Sequence, residues 1–311
     1  MAHQPVQRSA QGLLRRPPQP APNGCLSRLR GSRAVLHRGP DRGRGPRTVA
    51  SGCEQTTHPG QLHRLGDAFG NGGRFQACIL LHVPGHDGDV LLDCGASSLV
   101  ALKQQRHDPN QIGLVLVSHL HGDHFGGVPF LVLDGQFAHR TRPLHVAGPA
   151  GVGERVQAAM EVLFPGSTGV QRRFPVHFHE LTDRQPLRFD LGPAGLVVVP
   201  FAVVHASGAP ALALRVAWQG HTIAYTGDTE WTEALVEVAQ GADLLIAEGY
   251  TYQRKIRFHL DVATLQQQAG RLGARRVILT HMSPDVLSRV DEVGWETASD
   301  GMTLQLERAE P

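Results

Sequence analysis

What this 311-residue chain lacks narrows its nature first. It has four cysteines, Cys25, Cys53, Cys78 and Cys94, without the paired spacing of a metal knuckle and too few for a disulfide framework, so a reducing compartment suits it. No run of about 18 apolar residues is present to cross a membrane, and the first residues lack the apolar centre of a secretory leader. A cytoplasmic protein without membrane association is expected. No internal repeat of about 20–50 residues is seen, which excludes solenoids and propellers.

Acidic residues are scarce in one stretch only. Residues 1–50 hold ten Arg, no Lys and a single acid, Asp41. Subtracting them from totals of 30 basic and 28 acidic residues leaves 20 against 27, so the formal charge of +2 hides a body near −7. Such a body offers no clear positive face to a polyanion, and tRNA is not expected as a partner. Residues 1–60 are rich in Arg, Pro, Gly, Ser and Gln without an apolar period, and cannot bury enough surface to offset the entropy of ordering. They are expected to be a disordered basic tail, which could contact nucleic acid or serve as an organelle address, or could equally be an over-extended reading frame without function. Residues 61–311 form the folded domain.

From residue 62 onward, short apolar runs end in Gly, Asp or His. Strands are predicted at 77–83, 90–93, 114–118, 144–147, 196–204, 211–217, 222–226, 244–248 and 276–280. Helices are predicted at 97–105, 151–164, 231–240 and 261–272, the last from Val262, Leu265, Ala269 and Leu272 at helical spacing. The pattern is α/β, two packed sheets with helices outside.

The chain has 18 His, and their placement carries the chemistry. Ser118-His119-Leu120-His121-Gly122-Asp123-His124 follows an apolar run, so four ligand-type side chains share one turn at a strand end. Imidazole and carboxylate suit zinc and related divalent ions, and strand-end loops are where sites are built. His205, Asp228 and His281 each sit just beyond another apolar run. Any one of them alone reads as an ordinary loop residue; their recurrence does not.

His-x-His-x-Asp-His, then Thr-Gly-Asp-Thr, then Leu-Thr-His resembles the signature of the metallo-β-lactamase superfamily, over roughly residues 62–290. The resemblance implies a four-layer αβ/βα sandwich, two mixed sheets flanked by helices. It implies two divalent metal ions, zinc foremost with manganese, iron or cobalt as alternatives. By the family's pattern His119, His121 and His205 hold one ion, Asp123, His124 and His281 the other, and Asp228 bridges. Asp93 matches the family's early Asp, which orients the site loops; by itself it reads equally as a loop cap.

No Cys follows Cys94, so the ligand Cys of many antibiotic-hydrolysing members is missing. The segment from Phe258 to Leu265, followed by Gly273 to His281, resembles ribonuclease Z-like members. In that branch a His before the helix assists leaving-group departure; His259 matches it, and Glu248 matches an acidic residue placed nearby. His259 alone reads also as a helix-start residue. Where the tRNA-processing members carry a His-Glu-Ala-Thr-like stretch, this chain has Ala247-Glu248-Gly249-Tyr250, and no Gly/Pro-rich basic arm is found. The glycines of residues 66–73 suit a tight turn better than a phosphate cradle. Phe125, Trp231 and Tyr250 are candidates to line a substrate pocket, although aromatic residues more often simply pack.

The function expected is binuclear metal-dependent hydrolysis of small phosphodiesters, cyclic nucleotides included, by a metal-bridging hydroxide, with Asp123, His259 and Glu248 as catalytic side chains. Lactones, thioesters and sulfate esters are alternative small-molecule substrates. A metal-stabilised binding protein without turnover predicts eroded ligands, and none of the seven is eroded; a redox role has no room for a partner domain. A homodimer is the default assembly.

Overall fold

Both faces of most strands are covered, which is why the apolar runs are short and nearly continuous rather than strictly alternating. The computed structural model describes residues 61–64, 73–193 and 195–306; the expected tail of residues 1–60 and most of the glycine-rich turn at 66–73 lie outside the described residues. In chain order the strands are β1 (Gln61–Arg64), β2 (Ile79–His82), β3 (Asp89–Leu92), β4 (Ile112–Leu116), β5 (Leu144–Gly148), β6 (Val176–Glu180), β7 (Leu187–Phe189), β8 (Leu196–Val203), β9 (Ala211–Trp218), β10 (His221–Tyr225), β11 (Leu244–Glu248), β12 (Val277–Thr280), β13 (Glu296–Thr297) and β14 (Thr303–Gln305). The helices are α1 (Ser98–Gln104), α2 (Gly122–Phe125), α3 (Val128–Phe137), α4 (Val152–Leu163), α5 (Ala234–Ala239), α6 (Val262–Leu272) and α7 (Pro284–Leu287).

Two seven-stranded sheets result, in the orders β14-β1-β2-β3-β4-β5-β6 and β13-β12-β11-β10-β9-β8-β7. Each is mixed. In the first, β3 to β6 pair in parallel and the rest antiparallel; in the second, β10 to β13 pair in parallel and the rest antiparallel. Three apolar clusters define four layers. Leu92, Leu116, Leu214, Ile246 and Ile278 meet between the sheets. Leu102, Leu131 and Val156 carry α1, α3 and α4 onto the first sheet, and Leu235, Val238, Val262 and Leu265 carry α5 and α6 onto the second. This is the expected α/β architecture of two mixed sheets flanked by helices.

Local sequence explains the best-defined helix. Asp261 caps α6 by accepting from the Thr264 amide at 2.9 Å, and Gly273 ends it with φ of 65°. Val262, Leu265 and Leu272 are buried as their spacing predicts, whereas Ala269 is exposed. No helix among the described residues is long and apolar enough to cross a membrane.

The topology gathers one set of strand ends. β8 and β10 are each antiparallel to β9 and so run the same way, and β10, β11 and β12 are parallel. The residues just past β3, β4, β8, β10 and β12 are therefore brought to one end of the sandwich, the place where open α/β sheets bind ligands.

Candidate metal centre

Asp93 organises this end. Directly after β3 it adopts φ of 59°, a left-handed conformation uncommon outside glycine, and is fully buried. Its Oδ1 accepts from the Ser118 amide at 2.7 Å, and its Oδ2 accepts from Ser118 Oγ at 2.8 Å and Tyr225 Oη at 2.7 Å. Oδ2 also lies 2.7 Å from His124 Nδ1. That contact places a proton on His124 Nδ1 and turns Nε2 inward. His205 is fixed in the same manner from a different source, its Nδ1 donating to the Phe258 carbonyl at 2.8 Å.

The seven predicted ligand residues converge. His119, His121 and His205 form one group, Asp123, His124 and His281 another, and Asp228 joins both, with donor atoms within 4.8 Å in each set. His121 Nδ1 is 3.1 Å from His205 Nε2, and His124 Nε2 is 3.2 Å from His281 Nε2. Two nitrogens on one tetrahedral ion, with bonds of about 2.0–2.1 Å, stand about 3.4 Å apart. Asp228 Oδ2 lies 3.8 Å from His119 Nε2 and 3.3 Å from His281 Nε2, while its Oδ1 is 3.4 Å from His124 Nε2. Asp123 Oδ2 is 3.6 Å from both His124 and His281.

Buried polar atoms are normally hydrogen-bonded, yet His119 Nε2, Asp123 Oδ2 and Asp228 Oδ1 are buried here without a hydrogen bond. A cation accounts for all of them at once, and the donor set is of the kind that zinc and related ions accept. At His119 and His121 the electrostatics agree. Burial, with His124 beside it, holds His119 well below the ordinary imidazole range, and burial with His205 lowers His121, so both keep lone pairs. Burial works against charge on His124 and Asp228 as well, but the carboxylates of Asp228 and Asp93 raise the imidazole and the imidazoles of His281, His124 and His119 lower the carboxylate.

Backbone conformation is specialised around this pocket. His281 has φ of 55° and Phe258 of 71°, costs of order 1–3 kcal/mol each that cluster at functional sites. Gly227, at φ of 58°, precedes Asp228, and a Cβ there would lie 2.9 Å from the Ser118 Cβ. Glycine is needed on both counts.

His259 and Glu248 lie against the centre. Glu248 ends β11, is fully buried, and accepts at Oε2 from the Thr229 and Leu260 amides at 2.9 and 3.1 Å. Its Oε1 is 2.5 Å from His259 Nδ1 and 3.2 Å from His281 Nδ1. Tyr250 stacks on His259 with centroids 4.5 Å apart, and Trp231 lines a cleft beside it. Phe125 does neither: it is buried in the cluster beneath the helices of the first sheet. Sequence reading missed Ser118 and Tyr225 as partners of Asp93, because a Tyr closing an apolar run reads as core. The Phe258 carbonyl gives no sequence signal at all.

The sequence profile of the beta-lactamase superfamily domain matches residues 89–282, and the chain belongs to that family. Fold and site thus define a metal-dependent hydrolase of the metallo-β-lactamase superfamily. Within it, the chain stands in the ribonuclease Z-like branch. It is 26% identical over 247 residues to the Ribonuclease Z of Agathobacter rectalis, covering 66% of this chain and 81% of that one. It is 32% identical over 213 residues to an uncharacterised protein of Mycobacterium tuberculosis, covering 66% and 73%. Among solved structures, the short form of human tRNase Z superposes with a TM-score of 0.65 at 21% identity, covering 79% of this chain and 99% of that one.

These likenesses overturn one expectation. Exclusion of tRNA, and with it restriction to a small-molecule ester, does not stand beside relatives named Ribonuclease Z. The physical reason is that a net charge of −7 is an average. A polyanion responds to the local field, and beside His259 the cleft wall carries an exposed Arg257 along with a Lys255 paired to Asp261.

Proposed function

We propose that this chain is a binuclear metal-dependent phosphodiesterase, with RNA phosphodiesters among its substrates. His119, His121 and His205 would hold one divalent ion and Asp123, His124 and His281 a second, with Asp228 shared; zinc suits the donor set. The observation that carries this reading is the pair of three-residue groups meeting at one buried carboxylate whose Oδ1 makes no hydrogen bond. Such a pair of ions, when bound, lowers the pKa of a coordinated water and neutralises charge on a phosphoryl group.

The chain's own residues supply orientation and a proton. Asp123, 3.6 Å from His124 and His281, would orient the attacking water. Burial disfavours charge on His259, but the hydrogen bond and charge of Glu248, with the charge of Asp228, outweigh it and raise the imidazole above its ordinary value. With Nδ1 held by Glu248 at 2.5 Å, the proton available to a leaving oxygen is the one on Nε2. Glu248 is pinned by two backbone amides and cannot swing away from that task.

The test is hydrolysis of a precursor tRNA, a cyclic nucleotide and bis(p-nitrophenyl) phosphate beside a lactone and a thioester, with metal content measured before chelation and after restoration. Phosphodiester turnover that vanishes with the metal and returns at two ions per chain is expected. Turnover of the lactone or thioester alone would overturn the proposal, as would full phosphodiester activity at one ion.

A further inference from the structure

A cleft of about 410 Å³ opens beside His259, walled by Glu230, Trp231, Lys255, Arg257, His259 and Thr264. Its volume falls within the range of about 300–1,000 Å³ typical of ligand sites. His259 belongs to two places at once, since its Nδ1 is 3.9 Å from Asp228 Oδ2 and its ring forms part of the cleft wall. The cleft therefore begins where the metal centre ends, on the side of the proposed proton donor.

The charges in the wall are not equivalent. Glu230 is committed, its Oε1 accepting from the Phe258 amide at 2.7 Å. Asp261 is committed to the cap of α6 and to Lys255, whose Nζ lies 2.7 Å from its Oδ2. Lys255 is thereby neutralised and also donates to Thr264 Oγ1. Arg257 is exposed and without a carboxylate partner among the described residues; its guanidinium carbon rests 4.4 Å from the centre of the Phe258 ring. Phe258 is itself anchored at both ends, by Glu230 at its amide and by His205 at its carbonyl. An uncommitted cation is thus carried on a segment tied directly to the metal centre. Trp231, which also lines the cleft, is half-buried, with the Arg271 guanidinium 5.8 Å from the ring centre.

We propose that this cleft is a nucleotide subsite on the leaving-group side of the scissile phosphodiester, in which Arg257 binds the next phosphate and the Trp231 indole stacks on the base. The inference rests on the phosphodiesterase reading and adds to it a substrate class: oligonucleotides with a base and a second phosphate beyond the bond cut. An aromatic face accepts any base, and a guanidinium pairs with phosphate through two parallel hydrogen bonds, so the subsite selects for chain length and not for sequence.

The experiment compares kcat/KM for a short RNA, the same RNA with an abasic residue just beyond the cut, and bis(p-nitrophenyl) phosphate, in the metal-loaded full chain. Arg257→Ala should lower the RNA value roughly tenfold more than the bis(p-nitrophenyl) phosphate value, chiefly through KM, and reduce the salt dependence of KM by about one ion. Arg257→Lys should recover part of the loss. Trp231→Ala should lower the intact RNA value about tenfold and leave the abasic RNA little changed. Arg188→Ala, at an exposed ion pair elsewhere, should alter none of the ratios.

Equal losses on all substrates, or none, would overturn the subsite. A wild-type chain that cleaves no phosphodiester would instead sink the phosphodiesterase reading. In that event the RNA's dissociation constant decides the subsite: about tenfold weakening by Arg257→Ala sustains it, and an unchanged constant removes it.

Discussion

The two triads differ in how they are held. Asp123, His124 and His281 are nearly inaccessible, with His124 braced by Asp93 and His281 by Glu248. In the other group only His119 is buried; His121 and His205 are partly exposed, and His205 is steadied by a loop carbonyl. The contrast teaches that one site is built as core and the other as rim. An ion in the buried group should exchange slowly and tolerate little geometric change, whereas an ion in the open group should exchange readily and meet substrate first.

The most damaging way to erase the comparison is to remove what the groups share. Asp228→Ala should lower phosphodiester kcat by on the order of a thousandfold and reduce metal content in both groups, read by elemental analysis beside kinetics. Retention of two ions would show that Asp228 is not shared. A sharper cut is Asp93→Asn, which should weaken binding of one ion about 10–100-fold and leave the other near its original affinity; equal weakening of both would undo the distinction. Timed chelation should remove the metal in two phases, the fast one quickened further by His205→Ala and the slow one quickened by Asp93→Asn. A single phase in every variant would contradict the difference in exposure.

The smallest effect lies far from the centre. On β5 and β6, burial together with His179 and His177 lowers His145 to about 4, below the ordinary imidazole value of 6.5. A depressed folded-state value means that the unfolded chain binds the proton more readily between these limits. His145 therefore contributes stability above about pH 6.5 that is lost as pH falls towards 4. His145→Gln should flatten that part of the urea-midpoint profile and leave the metal-dependent steps alone; an unchanged slope would refute the assignment.

Strands that end in chemistry were legible in the sequence because a buried run stopped by His or Asp is a strong local signal, as at Leu116 before His119 or Tyr225 before Asp228. Edge strands were not. Val176–Glu180 alternates Val and Phe with His177 and His179, and short apolar content at a sheet edge looks like loop. Val128–Phe137 spreads its apolar residues around the helix and opens with Pro129, so no helical period betrays it. The side chains that converge were readable from residue type and position, but the bracing was not, because the partners of Asp93 come from Ser118, just past β4, and Tyr225 on β10. The tRNA expectation failed for a related reason: composition averages over the whole surface and carries no information on the local field at any one place.

Each group of ligands draws from both sheets. His119, His121, Asp123 and His124 follow β4 of the first, while His205, Asp228 and His281 follow β8, β10 and β12 of the second. Ions held there would act as rivets through the seam of the sandwich, so that prising the sheets apart would require releasing metal. Saturation at about a thousand times the dissociation constant adds about 4 kcal/mol to the folded state per site, and the apo chain should open first at the end where the chemistry takes place.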